Sequence, residues 1–366
     1  MSFFKNLFKK NEPIKTYQDF WNWFQENAPA FYEVVKNNRN PEKDFIGKLS
    51  PKLDALKDGI AFLAGMDDEN TAELIFTPDG VIKNIVFAEE LVHAAPPIPN
   101  WKFTALKPAT DMENIQLEMA GYTFHGENLS FYPVVHAHYP DKIDIAIVHQ
   151  DYTEKDKTAL INGTFLFMDH YLGELNSVSI IDNATVISIE QAAQELIPIA
   201  KLKDYLVWRE KEFVEKYQGL RYDTEQDTYA SMQATLSNGR PLVAIINTTL
   251  LDWDSKASHP WILTINLSYK TNRSDGFPEQ QTYDLLTHFE EEIMLELKDA
   301  DGYLNIGRFT ADGEREIYFA CRDFRKPSRV TYDLAARYAG QFTVTYDIYK
   351  DKYWQSLEKF RGSQTE

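Results

Sequence analysis

The sequence predicts an α+β protein with two tandem ferredoxin-like (split βαβ) domains, antiparallel sheets and a helical N-terminal extension. Three observations lead to this prediction. The 366 residues exceed the usual size of a single hydrophobic core. Stretches with a strand-like period of two are interleaved with stretches of helical periodicity. The two halves of the chain also repeat nearly the same order of elements, which indicates an internal pseudo-repeat.

Helical signals dominate residues 1–59. Thr16 and Asp19 form a helix start that is followed by apolar residues at helical spacing. Asn40–Pro41 and Ser50–Pro51 are typical starts of two short helices. We therefore predict a helical N-terminal extension over these residues.

The first ferredoxin-like domain is predicted over residues 60–199, with an insertion at 97–128. Pro78-Asp79-Gly80 supplies the turn of its opening meander. Its elements are strands over 60–66, 71–77 and 81–87, a helix over 88–95, a hairpin over 129–139 and 142–149, a helix over 154–171, a strand over 177–187 and a helix from Ser188. From the third strand onward they follow the order β-α-β-β-α-β once the insertion is left out.

A connecting helix over residues 200–219 leads to the second domain, residues 220–366. Asn238-Gly239 and Asp312-Gly313 are hairpin turns of this half. The elements are strands over 227–236, 241–249 and 261–269, a helix ending near 297, a hairpin over 302–310 and 314–322, a helix over 328–338, a strand over 341–349 and a terminal helix that carries Trp354, Leu357 and Phe360. From the third strand onward the order is again β-α-β-β-α-β.

Charge and composition exclude several functional classes. The formal net charge is −18, so phosphate backbones and anionic lipid surfaces should repel the chain, and we expect no nucleic-acid partner. No stretch is long and apolar enough for a membrane span, and the single cysteine fits a reducing compartment. The sequence therefore predicts a cytoplasmic protein. A short amphipathic turn over residues 3–8 would either touch a membrane or form a simple tail.

Three segments of the second half resemble the bacterial family called domain of unknown function 695. They are His259-Pro260-Trp261-Ile262-Leu263, Asp275-Gly276-Phe277-Pro278 and Gly307-Arg308-Phe309-Thr310-Ala311-Asp312-Gly313. The resemblance covers roughly residues 220–362, and it implies no catalytic residue. Similar domains occur beside domains that resemble regulators of ribonuclease E, which implies a regulatory or binding role.

Three histidines of the first half are candidate ligands for a metal ion. His136, His138 and His149 belong to the hairpin predicted around Pro140-Asp141. In that register His149 lies opposite Tyr132, about 13 Å along the strand from His136. One metal ion would not reach all three imidazoles, so we expect partly buried histidines with local hydrogen bonds.

The remaining candidates for chemistry have simpler interpretations. Asp284, His288 and Glu292 follow one another at helical spacing, opposite an apolar stripe, which is typical of a solvated helix face. Asp169-His170 are adjacent helical residues that point apart. Cys321 is expected in an apolar core, where a thiol is inert. We predict no catalytic residue, no metal and no cofactor.

The best binding candidate is one face of the hairpin near Asp312-Gly313. With paired residue numbers adding to 625, Gly307 faces Tyr318 and leaves a shallow depression floored by an aromatic ring. Asn305, Phe309 and Arg322 would surround it, with hydrogen-bonding groups for a ligand or partner. The alternative is that this face packs against the other domain or a second copy of the chain.

The sequence thus favours a non-catalytic binding or regulatory protein that uses its sheet faces to contact a protein partner. One alternative is a hydrolase or metal-dependent enzyme whose site is assembled from distant segments. That site would draw on His170, Asp252, His288 and Glu292. A second alternative is a purely structural homodimer built through the same sheet faces.

Overall fold

The computed structural model describes residues 14–220 and 222–361. It is 41% helical and 26% strand, which confirms the predicted α+β class. The amphipathic turn predicted at residues 3–8 lies outside the described residues. Among the residues described, no helix is long and apolar enough to cross a membrane.

The chain divides into two compact units. The first contains the described residues up to Thr110 together with Met168–Leu175. The second contains Asp111–Phe167 and the described residues from Asn176 onward. This division differs from the predicted domains, whose boundaries lie near residues 60 and 200.

The first unit is built on a three-stranded sheet. Its elements are α1 (Tyr17–Asn37), α2 (Gly47–Leu56), β1 (Ala61–Met66), β2 (Ala72–Thr77), α3 (Ile85–His93) and β3 (Trp101–Ala105). The sheet order is β1-β2-β3, with β1 antiparallel and β3 parallel to β2. Thr16 caps α1 in a capping box with Asp19, as the sequence indicates.

Helix α1 is part of the core of this unit. Its Phe20 and Trp21 are fully buried, and the ring of Trp21 lies 4.5 Å from that of Phe103 on β3. The Trp21 indole also donates a 2.8 Å hydrogen bond to the Leu91 carbonyl. The helical N-terminal residues therefore belong to the fold of the first unit.

The prediction of a strand over residues 81–87 is wrong. These residues form a short 3₁₀ turn and the start of α3, in which Ile85 to Ala88 are all buried. A continuous apolar run has the same signature in a buried helix and a buried strand, so periodicity does not separate them. The third strand of the sheet is β3, which comes from the segment predicted as an insertion.

The second unit contains a small four-stranded sheet. Its early elements are β4 (Leu117–Met119), β5 (Tyr122–Phe124), β6 (Leu129–Val134), β7 (Asp144–His149), β8 (Asn183–Ile187), β9 (Ile197–Pro198) and α6 (Leu202–Tyr217). Helices α4 (Lys157–Leu172) and α5 (Glu174–Ser179) belong to it in part, because Met168–Leu175 is assigned to the first unit. The order in the sheet is β8-β7-β6-β9, and β4 pairs with β5 in a separate two-stranded sheet. The helix predicted from Ser188 is a single 3₁₀ turn, although its capping box is present.

A six-stranded sheet forms the larger part of the second unit. Its elements are β10 (Tyr229–Thr235), β11 (Pro241–Asn247), α7 (Thr248–Leu251), β12 (Trp261–Ser268), α8 (Gln280–Glu296), β13 (Tyr303–Ala311), β14 (Glu314–Cys321), α9 (Arg325–Tyr338) and β15 (Thr343–Lys350). The order is β10-β11-β13-β14-β12-β15, and all neighbouring strands are antiparallel.

The strands of the first predicted ferredoxin-like domain lie in two sheets, β1–β3 and β6–β9, instead of one. The tandem arrangement is therefore not confirmed. A similar order of helices and strands along the chain does not determine which strands pair. The prediction treats residues 97–128 as an insertion, so it gives the strands of this segment no partner in the sheet. In the second half, β12 to β15 do follow the order β-α-β-β-α-β in a single sheet.

The two faces of the six-stranded sheet are covered differently. Helix α8 contacts one face, where its Glu290 hydrogen-bonds to Arg308 of β13. The other face forms a buried cluster with α7 and the C-terminal 3₁₀ segment Gln355–Phe360. Leu357 and Phe360 of this segment and the preceding Trp354 contribute buried side chains to the cluster.

Candidate functional site

A cavity of about 480 Å³ lies between the six-stranded sheet and the beginning of α8. Strands β11, β13 and β14 contribute to its wall, together with the loop before α8. The lining residues are Val243, Ile245, Arg273, Phe277, Pro278, Gln280, Tyr283, Arg308, Thr310 and Arg315. Three of these ten side chains are arginines, although the chain as a whole carries a net charge of −18.

Strand register brings the polar part of the wall together. Thr310 pairs directly with Arg315 across the β13–β14 hairpin, and Val243 pairs with Thr310 across β11 and β13. Arg308 lies two residues from Thr310 on the same face and pairs with Ile245. The cavity floor is therefore one patch of neighbouring residues from three strands.

The loop before α8 supplies an apolar part of the wall through Phe277 and Pro278. Gly276 holds this loop against the tip of the β13–β14 hairpin, where its carbonyl accepts a 2.8 Å hydrogen bond from the Gly313 amide. The φ angle of Gly276 is +75°, and a Cβ atom there would lie 2.7 Å from the Asp312 Cα. Glycine is therefore required at this contact.

One buried carboxylate accompanies the arginines. Glu290 of α8 is 5% exposed, and its Oε1 accepts a 2.6 Å hydrogen bond from Arg308 Nη1. Its Oε2 lies 3.6 Å from Arg315 Nη1, too far for a hydrogen bond. Glu290 therefore neutralises part of the positive charge but leaves the two guanidinium groups incompletely paired.

Arg315 Nη1 and Glu290 Oε2 are both buried beside the cavity without a hydrogen-bond partner among the described residues. The Arg315 side chain is 1% exposed, and its Nε donates to Thr310 Oγ1 at 3.2 Å. Its Nη1 has no hydrogen-bond acceptor in the part of the chain that the structure describes. Burial, and then the positive charge of Arg308, lowers the pKa of Arg315, while Glu290 opposes this effect. A guanidinium has five N–H donors, so Arg315 retains donors for a further acceptor.

Arg273 and Tyr283 lie nearer to solvent. Arg273 is half exposed and makes two hydrogen bonds with the Asp275 carboxylate, which raise the pKa of the guanidinium. The ring of Tyr283 lies 5.2 Å from the Arg315 guanidinium and covers it from the α8 side. The three arginines thus have Glu290 and Asp275 as their direct carboxylate partners, and Glu279 adds a more distant negative charge near Arg273.

The chemistry of this lining is suited to holding an anion. Partly satisfied guanidinium donors lie beside apolar side chains, and guanidinium groups form strong charge-assisted hydrogen bonds with anionic oxygens.

The face predicted for binding is covered by the chain itself. Tyr318 is 1% exposed, its ring lies 5.2 Å from Phe360, and its hydroxyl accepts a 2.9 Å hydrogen bond from Lys359 Nζ. Burial and the nearby Glu316 raise the pKa of Tyr318. The C-terminal segment thus covers this face. The sequence-based hypotheses instead expected a ligand or partner, the other domain or a second copy of the chain there.

The predicted depression at Gly307 is also absent. A Cβ at Gly307 would lie 2.3 Å from the Ile245 carbonyl oxygen, so the neighbouring strand fills the space. A β-bulge between Asn305 and Gly307 shifts the register by one residue, so Asn305 pairs with Phe319 and faces away from Phe309 and Tyr318.

The bulge likewise changes the position predicted for Arg322, because Tyr303 pairs with Cys321 instead. Arg322 Nη1 donates to the Leu220 carbonyl at 3.3 Å. The five predicted binding residues therefore do not form one exposed surface in the part of the chain described.

The three histidines of the first half are arranged differently from the prediction. Strand β6 ends at Val134, so His136 and His138 lie in the following loop, and His149 pairs with Leu129. His136 Nε2 lies 2.7 Å from an Asp144 carboxylate oxygen, whereas His149 is fully buried and contacts the Thr123 carbonyl. Within the described ranges, no group of three or more potential ligands could hold a metal ion.

The other candidates have structural or solvent-facing positions. His288 is exposed and lies 3.1 Å from Glu292, which also binds Arg337. Asp252 pairs with Arg361 at 3.3 Å. Cys321 is buried, which raises the pKa of its thiol and confirms the predicted core position.

Comparison with known proteins supports the resemblance of the C-terminal part. The model of a family described as "Family of unknown function (DUF695)" matches residues 231–360. Every residue that lines the cavity lies in this matched segment. Searches of curated proteins and of solved structures each found no match.

Proposed function

We propose that the protein is a non-catalytic binding protein, and that the arginine-lined cavity holds the anionic group of its ligand or partner. The observation that carries this proposal is the state of Arg315. Its guanidinium is almost completely buried and makes one hydrogen bond among the described residues, to Thr310. An anion that reached this guanidinium past the Tyr283 ring would supply the acceptor that Nη1 lacks.

The energetics support this proposal. A buried charged group is costly unless it is paired and hydrogen-bonded. Glu290 lies at hydrogen-bond distance from Arg308 but not from Arg315. A carboxylate or phosphate oxygen bound by Arg315 would form a charge-assisted hydrogen bond in a site of low dielectric constant, where such bonds are strong.

We keep the regulatory or partner-binding role predicted from the sequence, but we assign it to the arginine-lined cavity and not to the predicted sheet face. Because the C-terminal segment covers Tyr318, a partner would present its acidic group to the arginine cavity and would not contact that sheet face. The hydrolase alternative has less support, since Glu292 and Asp252 form ion pairs with Arg337 and Arg361, and His288 contacts Glu292 on the exposed side of the helix.

We also propose a ferredoxin-like description for the sheet that carries the cavity. Strands β12 to β15 lie in the order β13-β14-β12-β15, and β10 and β11 extend the sheet beyond β13. Two of the lining residues, Val243 and Ile245, belong to this extension. The added strands would thus complete the binding site.

The proposal is tested with two anions and one neutral compound of matched chain length: hexanoate, hexyl phosphate and hexanamide. Calorimetric titration of the wild-type protein should give measurable affinity for at least one anion and at least about tenfold weaker binding of hexanamide. The variant Arg315→Met should lose the preference for the anion, because it removes the unsatisfied donors.

Arg337→Met provides a matched control, since Arg337 is an exposed arginine outside the cavity. It should bind like the wild type. Circular dichroism and a cooperative thermal transition establish that each variant is folded. Equal binding of anions and hexanamide, or an unchanged anion preference in folded Arg315→Met, would overturn the proposed function.

A further inference from the structure

The charge balance of the cavity restricts the ligand. Arg273, Arg308 and Arg315 contribute three positive charges, and the carboxylates of Asp275 and Glu290 contribute two negative charges within hydrogen-bond or ion-pair distance of them. Among these directly paired groups one positive charge remains in excess, while Glu279 acts on Arg273 from beyond ion-pair distance. A singly charged anion neutralises this excess, whereas a dianion would leave an uncompensated negative charge beside the buried Glu290.

The apolar part of the wall gives a second restriction. Val243 and Ile245 of β11 and Phe277 and Pro278 of the loop before α8 line the cavity beside the arginines. Such side chains offer no hydrogen bonds to the rest of a ligand, but they favour the burial of hydrocarbon groups. The ligand should therefore join a charged end to an apolar body.

The volume indicates the size of that ligand. At about 480 Å³ the cavity lies within the range of roughly 300–1,000 Å³ that is typical of small-molecule sites. A small organic acid would place its charged group at Arg315 and its hydrocarbon part against Phe277. An inorganic ion alone would leave the apolar wall without contacts.

We infer that the ligand is a small monocarboxylic acid with an aliphatic or aromatic body, bound in preference to a phosphate monoester. This inference rests on the proposed function and specifies its ligand class. It follows from the single excess positive charge, the apolar wall and the volume taken together.

The test compares hexanoate with hexyl phosphate by calorimetric titration at about pH 7.5 and about pH 5.5. Phosphate monoesters have a second pKa of about 6, so hexyl phosphate is mainly a dianion at the higher pH and mainly a monoanion at the lower pH. Hexanoate stays largely ionised at both, because carboxyl groups titrate near pH 4–5. Hexanoate should bind about tenfold more tightly at pH 7.5, and the difference should narrow at pH 5.5.

A charge variant tests the same inference independently. Glu290→Gln keeps the shape of the side chain and raises the excess from one positive charge to two. It should shift the preference at pH 7.5 towards hexyl phosphate by about tenfold relative to the wild type. Glu292→Gln, on the same helix but with Arg337 and not a cavity arginine as its ion-pair partner, should leave the ratio of the two affinities unchanged.

The outcomes separate the inference from the proposed function. If hexyl phosphate binds more tightly than hexanoate at pH 7.5 and Arg315→Met abolishes this binding, the cavity is an anion site but the monocarboxylate inference is wrong. If neither anion binds better than hexanamide, the proposed function fails as well. If folded Glu290→Gln leaves the ratio unchanged, the argument from charge balance is overturned.

Discussion

At the scale of single residues, Thr310 is the side chain that orients Arg315. Its hydroxyl accepts the one hydrogen bond that the Arg315 guanidinium makes among the described residues. Thr310 is 9% exposed, so its position is fixed by packing in the sheet. The binding geometry of the cavity should therefore depend on a hydroxyl that need not touch the ligand.

We predict that Thr310→Val reduces the affinity for hexanoate several-fold and lowers the free energy of unfolding by about 1–3 kcal/mol. Valine has nearly the same shape but leaves Arg315 Nε without its acceptor in a buried site. Calorimetry and urea unfolding measure the two effects. Thr345→Val on the exposed edge strand β15 is the control. Unchanged affinity in Thr310→Val would show that Arg315 is oriented by other contacts.

The sequence predicted how some of the cavity residues pair, but it did not identify the cavity as the site. The predicted pairing of the last hairpin, with residue numbers adding to 625, holds from Gly307 to Ala311 and places Arg308, Thr310 and Arg315 on one face. Charged residues on a face otherwise composed of core residues were the available signal for the site. We instead predicted the opposite face, because its aromatic residues suggested an exposed binding surface.

At the scale of elements, the loop before α8 connects the hairpin tip to the cavity wall. Gly276 lies at the closest contact. Its φ angle is positive, and a Cβ atom there would lie 2.7 Å from the Asp312 Cα, so no side chain fits. The loop carries Phe277 and Pro278, so any displacement would move an apolar part of the wall.

We predict that Gly276→Ala lowers the free energy of unfolding by about 2–4 kcal/mol and weakens hexanoate binding. The alanine would be strained by the positive φ angle and would also collide with the backbone of the hairpin tip. Gly239→Ala is a matched control, because Gly239 has a φ of +83° but open space around its Cβ position. It should cost only about 1 kcal/mol. Equal losses in the two variants would contradict the close-contact argument.

Element types were easier to predict than their partners. Most helices and strands of the second half were predicted in the right order, because their periodicity and turn residues are local signals. The short helix α7 was missed, and the predicted terminal helix is a 3₁₀ segment. The C-terminal segment was predicted from Trp354, Leu357 and Phe360, but a local pattern does not reveal which sheet face it covers. The β-bulge beside Gly307 changes the strand pairing at Asn305 and Arg322. A register in which paired residue numbers keep one constant sum does not allow for the extra residue of a bulge.

At the scale of the whole molecule, a buried ion cluster joins the two larger sheets of the second unit. Asp182, just before β8, is 2.7 Å from both Lys350 at the end of β15 and Lys352. Burial alone would raise the pKa of Asp182, but the charges and hydrogen bonds of the two lysines outweigh it and lower the pKa below 3.8. The ionised aspartate is therefore favoured in the folded state.

We predict that Asp182→Asn lowers the free energy of unfolding at neutral pH by about 3 kcal/mol, because two buried lysines lose their anionic partner. A carboxyl whose pKa is lowered on folding stabilises the protein above its unfolded pKa, and this contribution disappears as the pH falls through the folded value. The difference between wild type and variant should therefore shrink below about pH 4. Urea unfolding at several pH values measures it, and a constant difference would contradict the assignment.

The most direct test of the central claim is a crystal structure of the protein grown with 6-bromohexanoate, with anomalous diffraction measured at the bromine edge. We predict a bromine peak inside the cavity beside Phe277, with the carboxylate at hydrogen-bond distance from Arg315. Binding in solution combined with a bromine peak at another place, or with an empty arginine cavity, would contradict the claim that this cavity is the binding site.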